Sequence, residues 1–368
     1  MSGNSVGKEF VFTSFGESHG RCVGAVVEGC PAGLLLDEKD VQLELNRRRP
    51  GTSKIASPRA ELDKVEILSG VFEGHTTGAP ICMIIWNRDV NSTPYESIRH
   101  KPRPGHADYS AWARYGGLND FRGGGRFSGR ITASFVMAGA VAKKLLSTLE
   151  IDVVAYTVEI GGIRAEKIPK FKDIRDLSEK NSVRCPDLIA ADLMEHVILE
   201  AQGKGDSVGG IVECVAAGVP SGIGEPIFDS LDADLAKLIF DIPAVKGVEV
   251  GAGFHAAAMK GSENNDPYTM SGKKITTLSN NSGGILGGLS NGMPLILRVA
   301  LKPTPSITMK QRTIDLQMME ETDIMISGRH DPCIVPRAIP VVESAVTITL
   351  VDHLLRRGFL TKIVEGLK

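Results

Sequence analysis

The sequence lacks an excess of charge of either sign, because 42 lysines and arginines stand against 44 acidic residues. Such a balance gives no bulk attraction to nucleic acid or to an anionic membrane, so any recognition of an anion must come from local clusters. Aromatic residues are also scarce, at 5% of the chain, whereas glycine is abundant, with 41 residues. This composition favours tight loops with backbone close to a ligand over a large aromatic core.

The chain has no CxxC pair among its six cysteines, which are scattered from Cys22 to Cys333. Their spacing argues against a zinc site and a disulfide framework, and it favours a reducing compartment. Residues 1–12 lack the apolar run of a signal peptide, and the longest apolar stretch, 133–142, is too short to span a bilayer. We therefore expect a cytoplasmic enzyme or binding protein without a metal site.

Hydrophobic periodicity predicts strands and helices in both halves of the chain. The predicted strands cover 10–13, 22–28, 65–72, 80–86, 153–160, 211–217 and 295–301. A helix capped by Asp37 is expected to end near Arg49, and further helices are predicted over 128–149, 187–202 and 336–355. Residues 87–125 have little periodicity, and a loop of that length within a compact chain is usually functional or disordered.

Both halves contain strands, a polar loop with an arginine and then a long apolar helix. We interpret this as an internal pseudo-duplication, since no linker rich in serine, proline or charge separates the halves. The expected fold class is α+β. It is a single domain over residues 1–368, a β-α-β sandwich in which helices pack between antiparallel sheets.

The first loop that can carry chemistry is GESHG at 16–20. Glycines on both sides free the backbone, so that Ser18 and His19 can present a hydroxyl and an imidazole to a ligand. The alternative is a turn between strands with a solvated histidine, and this segment alone leaves both interpretations open.

The second group consists of RPGHAD at 103–108 and GGGRFSGR at 123–130. Its three glycines lead into a predicted helix N-terminus, where free N–H groups and the helix dipole suit a phosphate. Arg126 and Arg130 are four residues apart, which predicts that they share one side of the first helical turn. The alternative is a glycine loop whose arginines are merely solvated.

The third group combines KPTPS at 302–306 with RHDP at 329–332. Prolines stiffen the first segment while its lysine and hydroxyl groups stay free to bind an anion, and Arg329 is suited to bidentate contact with carboxylate or phosphate. The triplet RRR at 47–49 is too short for a nucleic-acid patch and lacks interleaved aromatics. The segment GKGDSVG at 203–209 follows a helix and precedes a strand, the reverse of a dinucleotide turn.

Taken in order, these motifs resemble the chorismate synthase family. The resemblance rests on GESHG, RPGHAD, GGGR with the following SGR, and GRHDPC at 328–333. It extends to RRRPGTS at 47–53, SGVFEGHTTGAPI at 69–81, GDSVGG at 205–210, AVKGVEVG at 244–251 and GGILGG at 283–288. It runs from near Asn4 to Leu355, so it covers almost the whole chain, and the ordered set is far more specific than any one motif.

The resemblance implies an α+β sandwich, a homotetramer, and a deep basic pocket that holds FMN and 5-enolpyruvylshikimate 3-phosphate. The implied reaction of the shikimate pathway is a 1,4-elimination of phosphate that gives chorismate, a carbon–oxygen lyase activity that needs reduced FMN but causes no net redox change. Matching motifs place FMN contacts at Arg126, Phe127, Ser128, Pro243, Ala244, Gly287, Lys302, Pro303, Thr304, Pro305, Ser306 and Arg329. They associate Arg48 and Lys54 with NADPH, the candidate reductant of the flavin.

Three positions depart from the family's usual pattern. The family usually reads RSSAR at 126–130 and KPTSS at 302–306, so Phe127 and Pro305 each remove a hydroxyl group. Lys54 stands where arginine is common. We expect individual hydrogen bonds to change and the charges to remain.

The implied substrate carries two carboxylates and a phosphate, so its pocket must supply several fixed cations. The candidate substrate-binding residues are Ser18, His19, Arg48, Arg49, Arg103, Arg130 and Arg329. His19 is expected to stabilise or protonate the leaving group, and the resemblance places His106 beside the flavin, whose protonation state it would control. Asp331 is the third catalytic candidate and would orient an arginine or the flavin region.

Two other classes of function stay open at this point, a flavin-dependent oxidoreductase of another substrate and a non-catalytic protein that binds phosphorylated metabolites. An oxidoreductase would oxidise the flavin in step with product, whereas the elimination would leave it reduced. A binding protein would show affinity without turnover. The sequence also leaves open whether NADPH or an external reductant reduces the flavin.

Overall fold

Two antiparallel β-sheets, with helices between them, form the frame of this computed structural model, which describes residues 3–49, 51, 55, 61–88, 91–326, 328 and 330–364. In chain order the strands are β1 (Ser5–Val6), β2 (Val11–Gly16), β3 (Cys22–Glu28), β4 (Val65–Ile67), β5 (Val71–Phe72), β6 (His75–Thr76), β7 (Ile81–Trp86), β8 (Asp152–Ile160), β9 (Ile163–Arg164), β10 (Gly210–Ala217), β11 (Val245–Val250), β12 (Tyr268–Ser271), β13 (Lys274–Thr277), β14 (Ile285–Leu286), β15 (Leu289–Ser290), β16 (Leu295–Leu301), β17 (Gln311–Asp315) and β18 (Glu320–Ile324). The helices are α1 (Glu38–Arg48), α2 (Thr93–Glu96), α3 (Asp108–Tyr115), α4 (Thr132–Ser147), α5 (Phe171–Ser178), α6 (Leu188–Gly203), α7 (Leu231–Phe240), α8 (Gly261–Asn264) and α9 (Val335–Arg356).

The first sheet has the strand order β1-β2-β3-β7-β4, and the second has the order β11-β16-β10-β8-β9. Every neighbouring pair of strands in these two sheets is antiparallel. Along β16 the side chains alternate between buried and partly exposed, with Leu295, Leu297, Val299 and Leu301 on the buried face. A period of two is what a strand with one face on the core requires.

Helices α4 and α9 lie between the two sheets. Helix α4 packs on β2 and β3 of the first sheet, α9 packs on β8 and β10 of the second, and the two helices pack on each other. Small residues allow this close approach, since a Cβ on Gly139 of α4 would lie 2.3 Å from the side chain of Ser344 in α9. The predicted α+β class, with helices packed between antiparallel sheets, is confirmed, and each sheet precedes one long buried helix as the predicted pseudo-duplication requires.

Helix α9 is long and apolar enough to cross a membrane by length and composition alone, with 22 residues and a hydropathy of 1.5. In the fold, 94% of its apolar window is buried inside the protein. A helix that is apolar on all sides and packed on all sides is a core helix.

A buried group of charges fixes the C-terminal end of α1. Glu343 of α9 is fully buried and accepts hydrogen bonds from Arg47 of α1, at 3.0 Å, and from Lys143 of α4, at 2.6 Å. Although burial alone would raise the pKa of Glu343, these two cations hold it well below its usual range. Arg184 also donates to the carbonyl of Arg47, at 2.6 Å. Because these bonds hold the last turn of α1, they fix the position of the next residue, Arg48.

Most of the predicted elements are confirmed, with ends shifted by a few residues. Strands β3 and β16 have the predicted bounds, and the Asp37 side chain accepts from two backbone amides at the start of α1. The prediction of one strand over 65–72 is wrong, because residues 71–76 form the separate hairpin of β5 and β6. Residues 87–125 are more regular than predicted, since they contain α2 and α3. Helix α4 begins at Thr132 rather than near 128.

Candidate active site

A cavity of about 670 Å³ opens where loops from distant parts of the sequence meet. Its walls are the 16–20 turn, the loops 103–107 and 123–130, the end of α7 with the turn into β11, the segment 302–306 and the start of α9. A volume of this size is that of a pocket for a cofactor or small molecule.

The cavity is strongly basic although the chain as a whole is not. Seven cationic side chains line it, against three carboxylates, Glu61, Asp241 and Asp331. The cations are Arg48, Arg103, Arg126, Arg130, Lys246, Lys302 and Arg337. Such an excess of fixed positive charge in a concave site suits a ligand that carries several negative charges.

Two of these arginines meet at one buried carboxylate. Arg48 donates to Asp63 Oδ2 at 3.3 Å, and Arg130 pairs with Asp63 Oδ1 and lies 3.2 Å from Glu61 Oε2. Although burial raises the pKa of Asp63, the Arg130 and Arg48 guanidinium groups outweigh it and hold the pKa below its usual value. Arg48 also donates to the Gly129 carbonyl at 2.6 Å, so its plane is fixed.

One terminal nitrogen of Arg130 is unpaired within the described residues. Its Nη2 atom is buried and has no hydrogen-bond partner in the part of the chain that the structure describes. An unpaired buried donor costs about 1–3 kcal/mol. The position is therefore suited to an oxygen atom of a ligand.

The 16–20 turn brings Ser18 and His19 to the cavity, as predicted. His19 Nδ1 lies 2.9 Å from Ser92 Oγ, and the edge of the His19 ring packs on the Tyr95 ring with centroids 5.2 Å apart. Gly123 permits this placement, because a Cβ there would lie 2.4 Å from His19 Cδ2 and 2.9 Å from Ser18 Oγ. The interpretation of His19 as merely solvated is wrong, since the residue is buried and fixed by two partners.

His106 belongs to a second group, in which it and Asp108 are half-buried beside the buried Arg103. Arg103 donates to both carboxylate oxygens of Asp108, at 2.7 and 2.9 Å, and to Ser306 Oγ at 3.1 Å. His106 Nδ1 lies 2.6 Å from Asp108 Oδ1. Burial lowers the pKa of His106, and the charge of Arg103 lowers it further, which together outweigh the opposite effect of Asp108.

Arg126 is held by oxygen atoms that carry no full charge. It donates to the carbonyls of Ser14 and Gly16, at 2.8 and 3.3 Å, and to Asn4 Oδ1 at 3.1 Å. Burial lowers the pKa of this guanidinium group. The prediction that Arg126 and Arg130 share one helical turn is wrong, because Ser128 between them has an extended backbone, with φ −75° and ψ 146°.

Phe127 and Ser128 line the cavity next to Arg126. The Phe127 side chain is 37% exposed, so an apolar ring surface faces the open space. The Ser128 hydroxyl accepts a hydrogen bond from the Arg130 amide at 3.2 Å. The predicted helix start at 128 is therefore a short 3-10 turn over 129–131 that precedes α4.

The opposite wall combines Pro243 and Ala244 with residues 302–306. The carbonyl of Ala244, a residue in the left-handed region with φ +76°, accepts from the Lys302 amide at 2.9 Å. Lys302 Nζ donates to the Gly105 carbonyl, and burial followed by the charge of Lys246 lowers the pKa of Lys302. Thr304 Oγ1 is buried without a hydrogen-bond partner among the described residues.

Asp331 lies at the start of α9 and is paired with Arg337 Nη1. Arg337 Nε donates in addition to the carbonyl of Arg48, at 3.1 Å, which links α9 to the end of α1. His330 lines the same wall, and burial together with Arg103 lowers its pKa to about 4. Neither Arg337 nor His330 is among the predicted site residues, although His330 lies within the GRHDPC motif and Arg337 follows it closely.

Several predicted residues lie elsewhere. Arg49 and Pro303 do not line the cavity. Gly287 lies in the β14–β15 turn, next to Gly288. The Gly288 carbonyl accepts from the amide of Leu231, the first residue of α7, at 2.9 Å. The cavity is lined by the last residue of α7, Phe240, so Gly287 lies near the opposite end of that helix. Lys54 and Arg329 lie outside the described residues.

Comparison with known proteins shows the family to which the chain is similar. The family model described as chorismate synthase matches residues 10–355. Chorismate synthases of Dehalococcoides mccartyi and Korarchaeum cryptofilum are 55% and 56% identical to the chain, over 98% and 97% of it and over 99% and 98% of their own lengths. A crystal structure of chorismate synthase superposes with a TM-score of 0.78 at 32% identity and covers 98% of this chain and 95% of its own.

A sandwich fold around a buried basic cavity with two fixed histidines defines an enzyme that acts on a small, multiply anionic molecule. The family match covers more than nine-tenths of the chain, and the identity to the named relatives exceeds one half. The chain belongs to the chorismate synthase family. It is accordingly a lyase with a small-molecule substrate, in a family that implies a flavin cofactor.

Proposed function

We propose that this enzyme eliminates phosphate from 5-enolpyruvylshikimate 3-phosphate to give chorismate, and that it requires reduced FMN without net oxidation of the flavin. The observation that carries the proposal is the excess of fixed cations in a cavity of about 670 Å³. A substrate with two carboxylates and a phosphate needs several guanidinium groups in a desolvated site.

The substrate anions fit the side of the cavity formed by Arg48, Arg130 and Arg337. Arg130 Nη2 offers a donor there that is unpaired within the described part of the chain. Arg48 is fixed by Asp63 and by the Gly129 carbonyl, so its guanidinium plane needs no reorganisation when an anion binds. Asp331 holds Arg337 through one terminal nitrogen, which supports a role in orienting that arginine.

A flavin mononucleotide fits the opposite side. Thr304 Oγ1 is an unpaired polar atom, the Phe127 ring offers an apolar surface, and Arg126 supplies a cation without a carboxylate partner among the described residues. Phe127, Ser128, Pro243, Ala244, Lys302, Thr304, Pro305 and Ser306, the proposed flavin contacts, all line the cavity. When bound, reduced FMN would supply electron density to the reacting carbon–oxygen system.

The chain's own groups would handle the charge that develops during cleavage. His19 is placed by Ser92 and Tyr95 and lies near Ser18, so it can donate a hydrogen bond or a proton to the leaving phosphate. His106 lies at the cavity wall on the Lys302 side and can exchange a proton with the cofactor. The arginines neutralise the phosphate as it leaves.

An anaerobic assay of phosphate release tests the proposal. With photoreduced FMN we expect turnover while the flavin absorbance stays that of the reduced form, and with oxidised FMN alone we expect none. A parallel reaction with oxidised FMN and NADPH shows whether the enzyme reduces its own cofactor, for which Arg48 and Lys54 are the proposed contacts. Product that appears with equimolar oxidation of FMN would contradict the elimination.

A pair of arginine variants shows whether the cavity is the site of reaction. Arg130→Gln removes the unpaired donor and one partner of Asp63, so we expect kcat/KM to fall by about 10²-fold or more, the scale of a lost charged contact. Arg312→Gln is the control, because Arg312 lies on the surface and pairs only with Glu321 in the described structure. Equal activity of the two variants would place the reaction elsewhere.

We also propose that the enzyme is a cytoplasmic homotetramer without nucleic-acid or membrane partners. The near-neutral net charge of −2 and six free cysteines support this. Light scattering coupled to gel filtration measures the oligomeric state, and a monomer of 39.3 kDa would contradict it.

A further inference from the structure

The carboxylate of Asp108 contacts two neighbouring side chains, Arg103 and His106. Its Oδ2 atom accepts from the backbone amide of Arg103 at 3.0 Å and from Arg103 Nε at 2.7 Å, while Oδ1 accepts from Arg103 Nη2 at 2.9 Å. The same Oδ1 lies 2.6 Å from His106 Nδ1. A carboxylate that is ionised can only accept, so the proton between Oδ1 and Nδ1 belongs to the histidine.

The ionised state of Asp108 follows from its surroundings. Burial alone would raise its pKa, but the bonds from Arg103 and His106 and the charge of Arg103 outweigh burial and lower the pKa far below the usual range. At neutral pH the carboxylate therefore has no proton to give, and Nδ1 must be the donor in the short contact.

Arg103 does not compete for the lone pairs of the imidazole. Its Nη2 atom lies 3.1 Å from Nδ1 and 3.3 Å from Nε2 of His106. A donor directed along the lone pair of one ring nitrogen would be much farther from the other, so nearly equal distances place Nη2 over the face of the ring. Of the two hydrogen atoms on Nη2, one is directed to Asp108 Oδ1, at 2.9 Å, and the other lies against the ring rather than along a lone pair in its plane.

The charges that face His106 favour its neutral form. Arg103 and Lys302 are cationic, Asp108 is anionic, and His330 is a second half-buried imidazole. Burial lowers the pKa of His106, and the two cations lower it further, against the opposite effect of Asp108. A neutral imidazole with its proton on Nδ1 has Nε2 as its one basic atom.

We propose that Asp108 is a positioning residue that fixes His106 as the Nδ1–H tautomer, so that His106 exchanges protons with bound ligands through Nε2. The tautomer follows from the geometry of the protein alone. The effect on turnover rests, in addition, on the function proposed above. The two statements are therefore tested separately.

The tautomer is measured by side-chain 15N NMR of the full chain labelled at histidine, without any ligand. The spectrum of His106→Gln assigns the His106 signals among those of the eight histidines. We expect the Nδ1–H pattern in the wild type, and its partial or complete replacement by the Nε2–H pattern in Asp108→Asn. A wild-type spectrum with the proton on Nε2 overturns the proposal, even if the variant fails to fold.

Turnover is measured by phosphate release with reduced FMN for the wild type, Asp108→Asn and a matched control, Asp120→Asn. Asp120 binds Arg122 in the same way, because its two carboxylate oxygens accept from the backbone amide, Nε and Nη2 of Arg122. Among the described residues no histidine donates a hydrogen bond to Asp120, although the charge of His19 acts on it from a distance. For Asp108→Asn we expect kcat to fall by about 10²-fold with KM nearly unchanged. For Asp120→Asn we expect kcat to change by less than about threefold.

The pH profile separates positioning from a general loss of structure. Because Asp108 raises the pKa of His106, Asp108→Asn lowers it further, and the limb of the kcat profile that belongs to His106 moves to lower pH. An unchanged tautomer together with an unchanged profile in Asp108→Asn would refute the proposal. If the wild type releases no phosphate at all, the proposed function fails, and the NMR spectrum still decides the tautomer.

Discussion

Replacing Gly123 with alanine should damage the site far more than the fold. Gly123 has φ +59°, in the left-handed region, and a Cβ there would lie 2.4 Å from His19 Cδ2. To regain ordinary contact the imidazole must move by about 1 Å. Ser92 and Tyr95 oppose that movement, since they hold the ring through a 2.9 Å hydrogen bond and an edge contact.

The chain offers a control with the same backbone and no collision. Gly116 has φ +60°, and a Cβ there would meet nothing within 4 Å. The left-handed conformation costs an alanine about 1–2 kcal/mol, so both variants should lose a few degrees of Tm. Only Gly123→Ala should misplace a catalytic group, and a shift of about 1 Å can cost about 10²-fold in rate.

The assay is phosphate release with reduced FMN, run beside thermal unfolding of both variants. We expect kcat of Gly123→Ala to fall by about 10²-fold and kcat of Gly116→Ala to stay close to that of the wild type. If Gly123→Ala keeps normal kcat, His19 tolerates displacement and its fixed position is not required for turnover. Equal losses in both variants would attribute the effect to backbone strain.

Three further predictions concern groups in and under the cavity. His19→Ala and His106→Ala should each lower kcat by about 10²-fold or more, with far-UV circular dichroism unchanged; a variant with near-normal kcat would show that its histidine is only structural. Phe127→Ser should change FMN affinity by less than about tenfold, whereas Arg126→Ala should weaken FMN binding more. Fluorescence titration of FMN with substrate present measures both affinities. If Phe127→Ser weakens binding more than Arg126→Ala, the charge of Arg126 matters less than the ring contact of Phe127. Asp63→Asn should lower the free energy of unfolding in urea by about 3–5 kcal/mol at pH 7, because it removes the buried negative charge that two buried guanidinium groups share. The stability that Asp63 contributes is present above its unfolded pKa of about 4 and is lost as pH falls through its lower folded pKa. The free energy of unfolding should therefore fall more for the wild type than for Asp63→Asn as the pH is lowered from about 5. Parallel plots of that free energy against pH for the two proteins would contradict this.

The main frame of the fold could be predicted because its elements carry strong local signals. Asp37 with the following acidic turn marks the start of α1, and the alternation in Leu295–Leu301 marks a central strand. Helix α7 and strand β11 were not predicted, and the break at Gly70 was read as continuous strand. In these places packing against neighbouring elements, rather than periodicity within the segment, determines the structure.

The site could be predicted where a motif holds both the chemistry and its geometry. His19 was selected in the glycine-flanked GESHG turn and His106 through the resemblance of RPGHAD to the family motif, and both line the cavity. Asp63 was missed because it acts through Arg48 and Arg130, which lie 15 and 67 residues away in the sequence. Arg337 lies only six residues from its partner Asp331, but it stands in the predicted helix 336–355 and outside the glycine-rich loops. Partners distant in sequence also explain the error at Arg126, whose direction is set by carbonyl oxygens of β2 and not by the helix that follows.

The anchoring of Arg126 has a practical consequence for producing the enzyme. The Asn4 side chain accepts a hydrogen bond from Arg126, and the Asn4 backbone carbonyl accepts from the Ser14 amide at 3.0 Å. Asn4, the residue before β1, therefore helps to hold Arg126 in place. An affinity tag or a protease scar fused directly ahead of Asn4 could pull on this residue and lower flavin affinity without unfolding the protein. Residues 362–364 instead pair with Ala32, and none of these lines the cavity. A purification tag is better fused on that side.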